Sequence, residues 1–188
     1  MGFRAVNEFA RDTTWLHLVA TLFAQYGIVV FGALLVLGLF RNRAVDLVAV
    51  ARSLLAGGGV LLAVAANQPI VHAVAEPRPY TRWHDVLVLV HRSADASFPS
   101  DHAVLAGATA MGLMLSCRRL GLVAAPLALL MAADRVYVGA HYPVDVLAGL
   151  VFGAAVAAVV QLLAQALAGV LKRLSHGPLR NVLLAPSR

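Results

Sequence analysis

The sequence predicts an all-α integral membrane bundle of five to six transmembrane helices preceded by an interfacial helix. Three observations carry that expectation. Hydrophobic residues make up 61% of the 188-residue chain, and charged residues 13%, about half the share of a soluble domain. The mean hydropathy is +0.81. The apolar residues fall in runs about as long as a bilayer crossing requires, with polar connectors between them.

Residues 1–18 read as the interfacial helix, with Phe3, Val6, Phe9 and Ala10 on one side and Arg4, Glu8, Arg11 and Asp12 among the others. The mixed charges before a long apolar run do not resemble a cleavable signal peptide. Spans follow at about residues 19–40, 53–74, 100–117, 120–138 and 143–171, within a membrane-embedded unit covering residues 19–174. Pro69 is placed to kink the second span near its end. Residues 83–98 hold an apolar core too short to cross, so they are expected to lie over the outer face or to re-enter it. Residues 175–188 form a polar tail.

Charge sets the orientation. Arg41, Arg43, Arg52, Arg118, Arg119, Lys172 and Arg173 fall on one side of a five-span alternation, which the positive-inside rule makes cytoplasmic. The net charge of +6 has no basic stripe with interleaved aromatics, which argues against nucleic acid as a partner. One cysteine, Cys117, excludes an internal disulfide. No His or Cys cluster has zinc spacing.

On the opposite side, three polar fragments stand out against this depleted background: Glu76-Pro77-Arg78-Pro79, Pro99-Ser100-Asp101-His102, and Arg135 with His141 and Asp145. Ionisable groups in such a chain must reach water, pair, or bind an anion. Gly139 can cap the fourth span and Pro143 suits the first turn of the fifth. Asp145 in that turn could fold back to accept from the His141 imidazole, leaving the other ring nitrogen as nucleophile. Arg135, on the preceding turn, would present a guanidinium fork to phosphate oxygens. Ser100 is a natural N-cap, and the helix start it opens is an anion site with His102 in its first turn. His102 is then the acid for the leaving group and the base for water. Arg78 supplies a second fork. No metal or cofactor is needed. Taken singly, each fragment also fits a bland reading, a capped helix or a satisfied hairpin.

These residues resemble the type 2 phosphatidic acid phosphatase family of membrane lipid phosphatases. Its signature is Lys-x6-Arg-Pro, then Pro-Ser-Gly-His, then Ser-Arg-x5-His-x3-Asp. The match covers about residues 67–150, and Phe98-Pro99-Ser100-Asp101-His102 with Val138-Gly139-Ala140-His141-Tyr142-Pro143-Val144-Asp145 is similar to its bacterial undecaprenyl-diphosphatase branch. The resemblance implies a phosphohistidine on His141, His102 and Asp145 as its catalytic partners, and phosphate contacts from Arg78, Ser100, Arg135 and the neighbouring Asp101. It implies a polyprenyl diphosphate substrate cleaved at the outer face of a bacterial plasma membrane. Glu76 is expected to orient Arg78, and Arg82 and Arg92 to meet a second phosphate, unless they belong to a solvated loop; His84 and His91 share that choice. Val71, Asp101 and Asp134 stand where the family has Lys, Gly and Ser. A carboxylate at position 134 should repel phosphate unless paired, with Arg82 or Arg92 as candidates. A broad lipid phosphatase, a non-catalytic lipid or transport protein and a vanadate-dependent peroxidase are the rival readings.

Overall fold

Asn7 explains how the chain begins. In the computed structural model, which describes residues 2–174, the first helix buries Phe3, Asn7 and Ala10 on one stripe. The Asn7 amide donates to the Leu87 carbonyl at 2.8 Å and accepts from the Leu87 N–H at 3.0 Å. The helix thus docks on the connector 83–98 through a polar pair, and Phe9, expected on the packed face, turns outward. This α1 spans Gly2–Asp12, and a 3-10 turn at Thr14–Leu16 leads into α2, His17–Asn42. The membrane helix therefore starts slightly before the expected boundary.

The other helices are α3 (Leu47–Val74), α4 (Pro79–Arg82), α5 (Asp101–Ser116), α6 (Arg118–Tyr137), α7 (Pro143–Gln161) and α8 (Ala164–Leu174). Asp46 caps α3, its side chain accepting from the Ala49 N–H at 2.7 Å. The helix runs unbroken through Pro69 and stops at Ala75, whose left-handed φ of 48° closes a last bond to Val71.

Four helical segments, containing α2, α3, α6 and α7, are long and apolar enough to cross a membrane. The third expected span is different. At 16 residues, α5 is about 24 Å long, short of a hydrocarbon core of about 30 Å. It packs between α3, α6 and α7, and its Ala103, Val104, Ala106 and Ala108 are inaccessible. The expected fifth span also divides. Helix α7 ends at Gln161, Leu162 is 81% exposed, and α8 starts afresh at Ala164. A straight helix over residues 143–171 would be about 43 Å long. Instead α8 lays Ala168 and Leu171 on Val50 and Ala51 at the start of α3.

Close approach of α5 and α7 depends on glycine. A Cβ at Gly153 would collide with the Val104 carbonyl, and one at Gly149 would stand 2.7 Å from the Ser100 carbonyl. Gly149 and Gly153, four residues apart, thus pack inside the bundle. At the basic end, the Asn42 amide donates to Ser53 Oγ at 2.8 Å and to the Ser116 carbonyl at 2.9 Å, gathering α2, α3 and α5. The polar fragments lie at the other end.

Candidate active site

Each polar fragment is held by backbone before its side chains matter. At the end of α6 the Arg135 carbonyl accepts from the N–H groups of both Ala140 (3.1 Å) and His141 (3.2 Å). Gly139 makes that tight return possible, with φ of 79° and the Leu87 carbonyl where a Cβ would go. His141 is thereby pinned beside Arg135. Pro143 then opens α7, and Asp145 folds back to accept from the Tyr142 N–H at 2.9 Å.

Ser100 precedes α5 in an extended conformation without making the side-chain cap expected of it. Its N–H instead donates to the Asp145 carbonyl at 3.2 Å, joining the start of α5 to α7. The hydroxyl is fully buried and has no partner among the described residues. A second clamp comes from α3. The Asn67 amide donates to the Pro99 carbonyl at 3.2 Å and to Asp101 Oδ1 at 2.7 Å, and Gln68 Nε2 donates to the same oxygen at 3.0 Å.

A cavity of about 530 Å³ opens among these elements, lined by Arg78, Asp101, His102, Arg135 and His141 among others. Three separate stretches of chain thus meet around one space. The wall from α3 contributes Gln68, Val71 and His72, and the connector contributes His91, Ser93 and Asp95. Val71, where the family's lysine would stand, brings no charge.

The geometry sets the His141 tautomer. Arg78 Nη1 lies 3.1 Å from His141 Nε2 and also donates to the Ala140 carbonyl at 3.2 Å, while Arg78 Nε donates to the Asp95 carbonyl at 2.8 Å. Arginine only donates, so Nε2 is the acceptor and Nδ1 carries the proton. Nδ1 in turn lies 2.8 Å from the Ser97 carbonyl, which can only accept. The two contacts agree. Burial, helped by the charges of Arg78 and Arg135 and opposed by Asp145, pushes the His141 pKa down to about 4. The imidazole is neutral at pH 7, with its Nε2 lone pair directed at the arginine side of the cavity.

Several expectations need correction. Asp145 is not the first acceptor of the His141 Nδ1–H: Oδ2 pairs with Nδ1 at 3.6 Å, against 2.8 Å for the Ser97 carbonyl, because the Ser97 hydroxyl (2.5 Å) and the Tyr142 N–H occupy that oxygen. Asp101 lines the cavity, but its Oδ1 is taken by amides of α3. Glu76 does not orient Arg78; its carboxylate lies 3.7 Å from Arg82. Arg82 and Glu76 line a different cleft, with Trp83, Phe98 and Tyr142. Arg92 lies over the Tyr80 ring at 5.5 Å, outside the lining of the His141 cavity. Tyr80 itself is buried and bonded to Ser93. Asp134 pairs with neither Arg82 nor Arg92. It lines an apolar groove of about 400 Å³ with Val6, Phe9 and Phe23, away from the His141 cavity.

Ser97, Asn67 and Gln68 escaped the sequence reading, and His72 lines the cavity as well. For Asn67 a signal existed: an Asn-Gln pair inside an apolar run needs partners. Ser97 looks like any loop serine. Among the described residues no group of His, Cys, Asp and Glu is arranged to hold a metal. His176 lies outside the described residues.

The sequence and the fold are both similar to those of known proteins. A family profile for the PAP2 superfamily matches residues 52–169. Undecaprenyl-diphosphatase BcrC of Bacillus subtilis is 33% identical over 150 residues, covering 79% of this chain and 75% of its own length. An undecaprenyl-diphosphatase of Sulfolobus acidocaldarius is 31% identical over half of this chain and 46% of its own. Two crystal structures share the fold. LpxE of Aquifex aeolicus has a TM-score of 0.60 at 24% identity, covering 84% of this chain and 91% of its own. The PAP2 type phosphatidylglycerolphosphate phosphatase of Bacillus subtilis has a TM-score of 0.60 at 23% identity, covering 94% and 87%. With the family profile spanning well over half of the sequence, the chain is a membrane-embedded hydrolase belonging to the PAP2 superfamily.

Proposed function

We propose that this protein removes the terminal phosphate of a polyprenyl diphosphate, undecaprenyl diphosphate above all, through a phosphohistidine on His141. The observation that carries the proposal is the buried neutral imidazole whose Nε2 opens to a cavity shared with Arg78, Arg135 and His102. A neutral imidazole with a fixed tautomer is a nucleophile, and a phosphate drawn by two guanidinium groups would arrive at its lone pair.

In the first step Nε2 attacks the terminal phosphorus and the bond to the bridging oxygen breaks. Burial and the charge of Arg135 hold the His102 pKa down to about 3, so His102 takes up a proton as the anionic substrate seats, and the departing lipid monophosphate takes the electron pair and that proton. Arg78 must exchange its contact with Nε2 for phosphate oxygens as the substrate seats. Arg135, the free Ser100 hydroxyl and the first N–H groups of α5 face the equatorial oxygens, where charge spreads in the transition state. In the second step His102 takes a proton from water, the water oxygen bonds to phosphorus, and the Nε2–P bond breaks to release inorganic phosphate.

The diphosphate is favoured by the 33% identity to BcrC and by the extra polar wall of Gln68, His72 and His91, which has room for a second phosphate. The basic residues at the far end favour an outward-facing site in a bacterial plasma membrane. A broad lipid phosphatase acting on phosphatidate is the alternative, since the catalytic groups would treat both alike.

The deciding experiment is phosphate release by the purified protein in detergent with excess EDTA, on undecaprenyl diphosphate and phosphatidate separately, with His141→Ala as the blank. Preference for the diphosphate that vanishes in the variant is expected. Equal use of phosphatidate would move the function to the alternative. Strict dependence on a divalent ion would sink the histidine-only mechanism, and activity surviving in His141→Ala would sink its nucleophile.

A further inference from the structure

Ser97 sits between the nucleophile and the carboxylate that should serve it. Its hydroxyl donates to Asp145 Oδ2 at 2.5 Å and stands 3.4 Å from His141 Nδ1. Its carbonyl accepts from the His141 Nδ1–H at 2.8 Å. Its N–H donates to the Glu76 carbonyl at 2.7 Å. The residue is inaccessible to solvent. Backbone bonds on both sides and a charge-assisted bond from the side chain therefore hold it in one position.

That position matters for a phosphohistidine. When Nε2 bonds to phosphorus while Nδ1 keeps its proton, the ring carries a positive charge. Breaking the Nε2–P bond then returns the electron pair to a neutral imidazole, a good leaving group. If a carboxylate drew the Nδ1 proton away, the leaving group would be an imidazolate, and the intermediate would be long-lived. Asp145 must be near enough to stabilise the charge but must not become the acceptor of that proton. At 3.6 Å, with Oδ2 engaged by a hydroxyl and a backbone N–H, it meets both requirements.

We infer that Ser97 is a positioning residue for the phosphatase reaction, its carbonyl keeping the Nδ1 proton on His141 and its hydroxyl holding the Asp145 carboxylate off that proton. Through its side chain Ser97 acts on dephosphorylation of the intermediate more than on substrate binding. The inference rests on the phosphohistidine reading above. In Ser97→Ala the carboxylate loses its strongest partner and closes on Nδ1, so the second step slows.

The test uses the full-length protein in detergent and a polyprenyl diphosphate radiolabelled in its terminal phosphate, quenched in alkali to preserve phosphohistidine. In Ser97→Ala, kcat should fall roughly ten- to a hundredfold, the weight of one charge-assisted hydrogen bond, with KM changed little. The fraction of enzyme trapped as phosphohistidine should rise, and Ser97→Thr, which keeps the hydroxyl, should recover turnover. In an Asp145→Asn background, Ser97→Ala should add little. If Ser97→Ala does not fold, Ser97→Cys, close in size but a poor donor, is read the same way. Wild-type turnover per folded molecule in Ser97→Ala, or a loss without accumulation, overturns the role of Ser97 alone. A wild-type enzyme that turns over with no trapped phosphohistidine overturns the underlying mechanism as well, so the two failures are distinguishable.

Discussion

The last turn of α6 divides two spaces. On one side is the catalytic cavity, to which Arg135 contributes; on the other is the apolar groove between α1, α2 and α6, to which Asp134 contributes. The two residues are neighbours in sequence, but one step along a helix turns the side chain by about 100°. Both buried carboxylates of the hairpin can then be compared. Asp145 commits one oxygen, Oδ2, to Ser97 and Tyr142 beside the imidazole, and only its Oδ1 is left without a partner among the described residues, whereas Asp134 Oδ2 is buried without one in the apolar groove. The comparison teaches that a charge near the motif in sequence belongs to the site only if its helix face does.

The largest effect should follow loss of the nucleophile. His141→Ala is expected to reduce kcat by roughly four orders of magnitude or more, measured as phosphate release. Asp145→Asn comes next, at roughly a hundredfold in kcat. Its tautomer-fixing duty is already met by the Ser97 carbonyl, so the loss reflects charge alone; a loss as deep as that of His141→Ala would mean the carboxylate does more than stabilise charge. Asn67→Ala, which removes the clamp from α3 to Pro99 and Asp101, should cost about tenfold in kcat/KM and roughly 1–3 kcal/mol of stability, read from activity and thermal unfolding together. The smallest catalytic effect belongs to Asp134→Ser. Turnover should stay within about threefold of wild type, and stability should rise, because an unpaired buried carboxyl is removed. A catalytic loss matching that of Asp145→Asn would erase the distinction between the two faces.

Acidity tests the catalytic side separately. His141 must be neutral to attack, and its pKa in the fold is about 4 against an ordinary 6.5. Lowering the pH through 6.5 should therefore leave the nucleophile intact, with the loss from this group arriving only as pH approaches 4. Over the same window the unfolded chain takes up a proton that the folded site refuses, so His141 makes folding less favourable as pH falls from 6.5 to 4. The acidic limb of kcat/KM, corrected for titration of the substrate's own phosphate, checks this. A limb near 6.5 that belongs to the enzyme would mean a solvated imidazole.

The helical architecture was legible because apolar run lengths and polar interruptions are local properties. The positions of Arg78, Ser100, His102, Arg135 and His141 were legible because each lies at a helix boundary marked by Pro, Gly or Ser. What failed was partner choice. Glu76 and Arg82, six residues apart, pair across a turn, while Arg92 finds the Tyr80 ring; long side chains reach whatever the folded surface offers. The span count failed in part for a related reason. A 16-residue helix serves when neighbouring helices, not lipid, cover it.

By itself, then, the sequence determined an all-helical membrane bundle with His102, His141, Arg78, Arg135 and Ser100 gathered toward one end, since hydropathy, capping and motif spacing are written residue by residue. Tertiary structure alone decided that Ser97 stands between Asp145 and His141, that Asn67 holds the start of α5, and that Asp134 turns away from the phosphate. Those are contacts between stretches far apart in the chain. Hydrogen bonds depend on tenths of an ångström and on which face a helix presents, and neither is encoded in any local pattern.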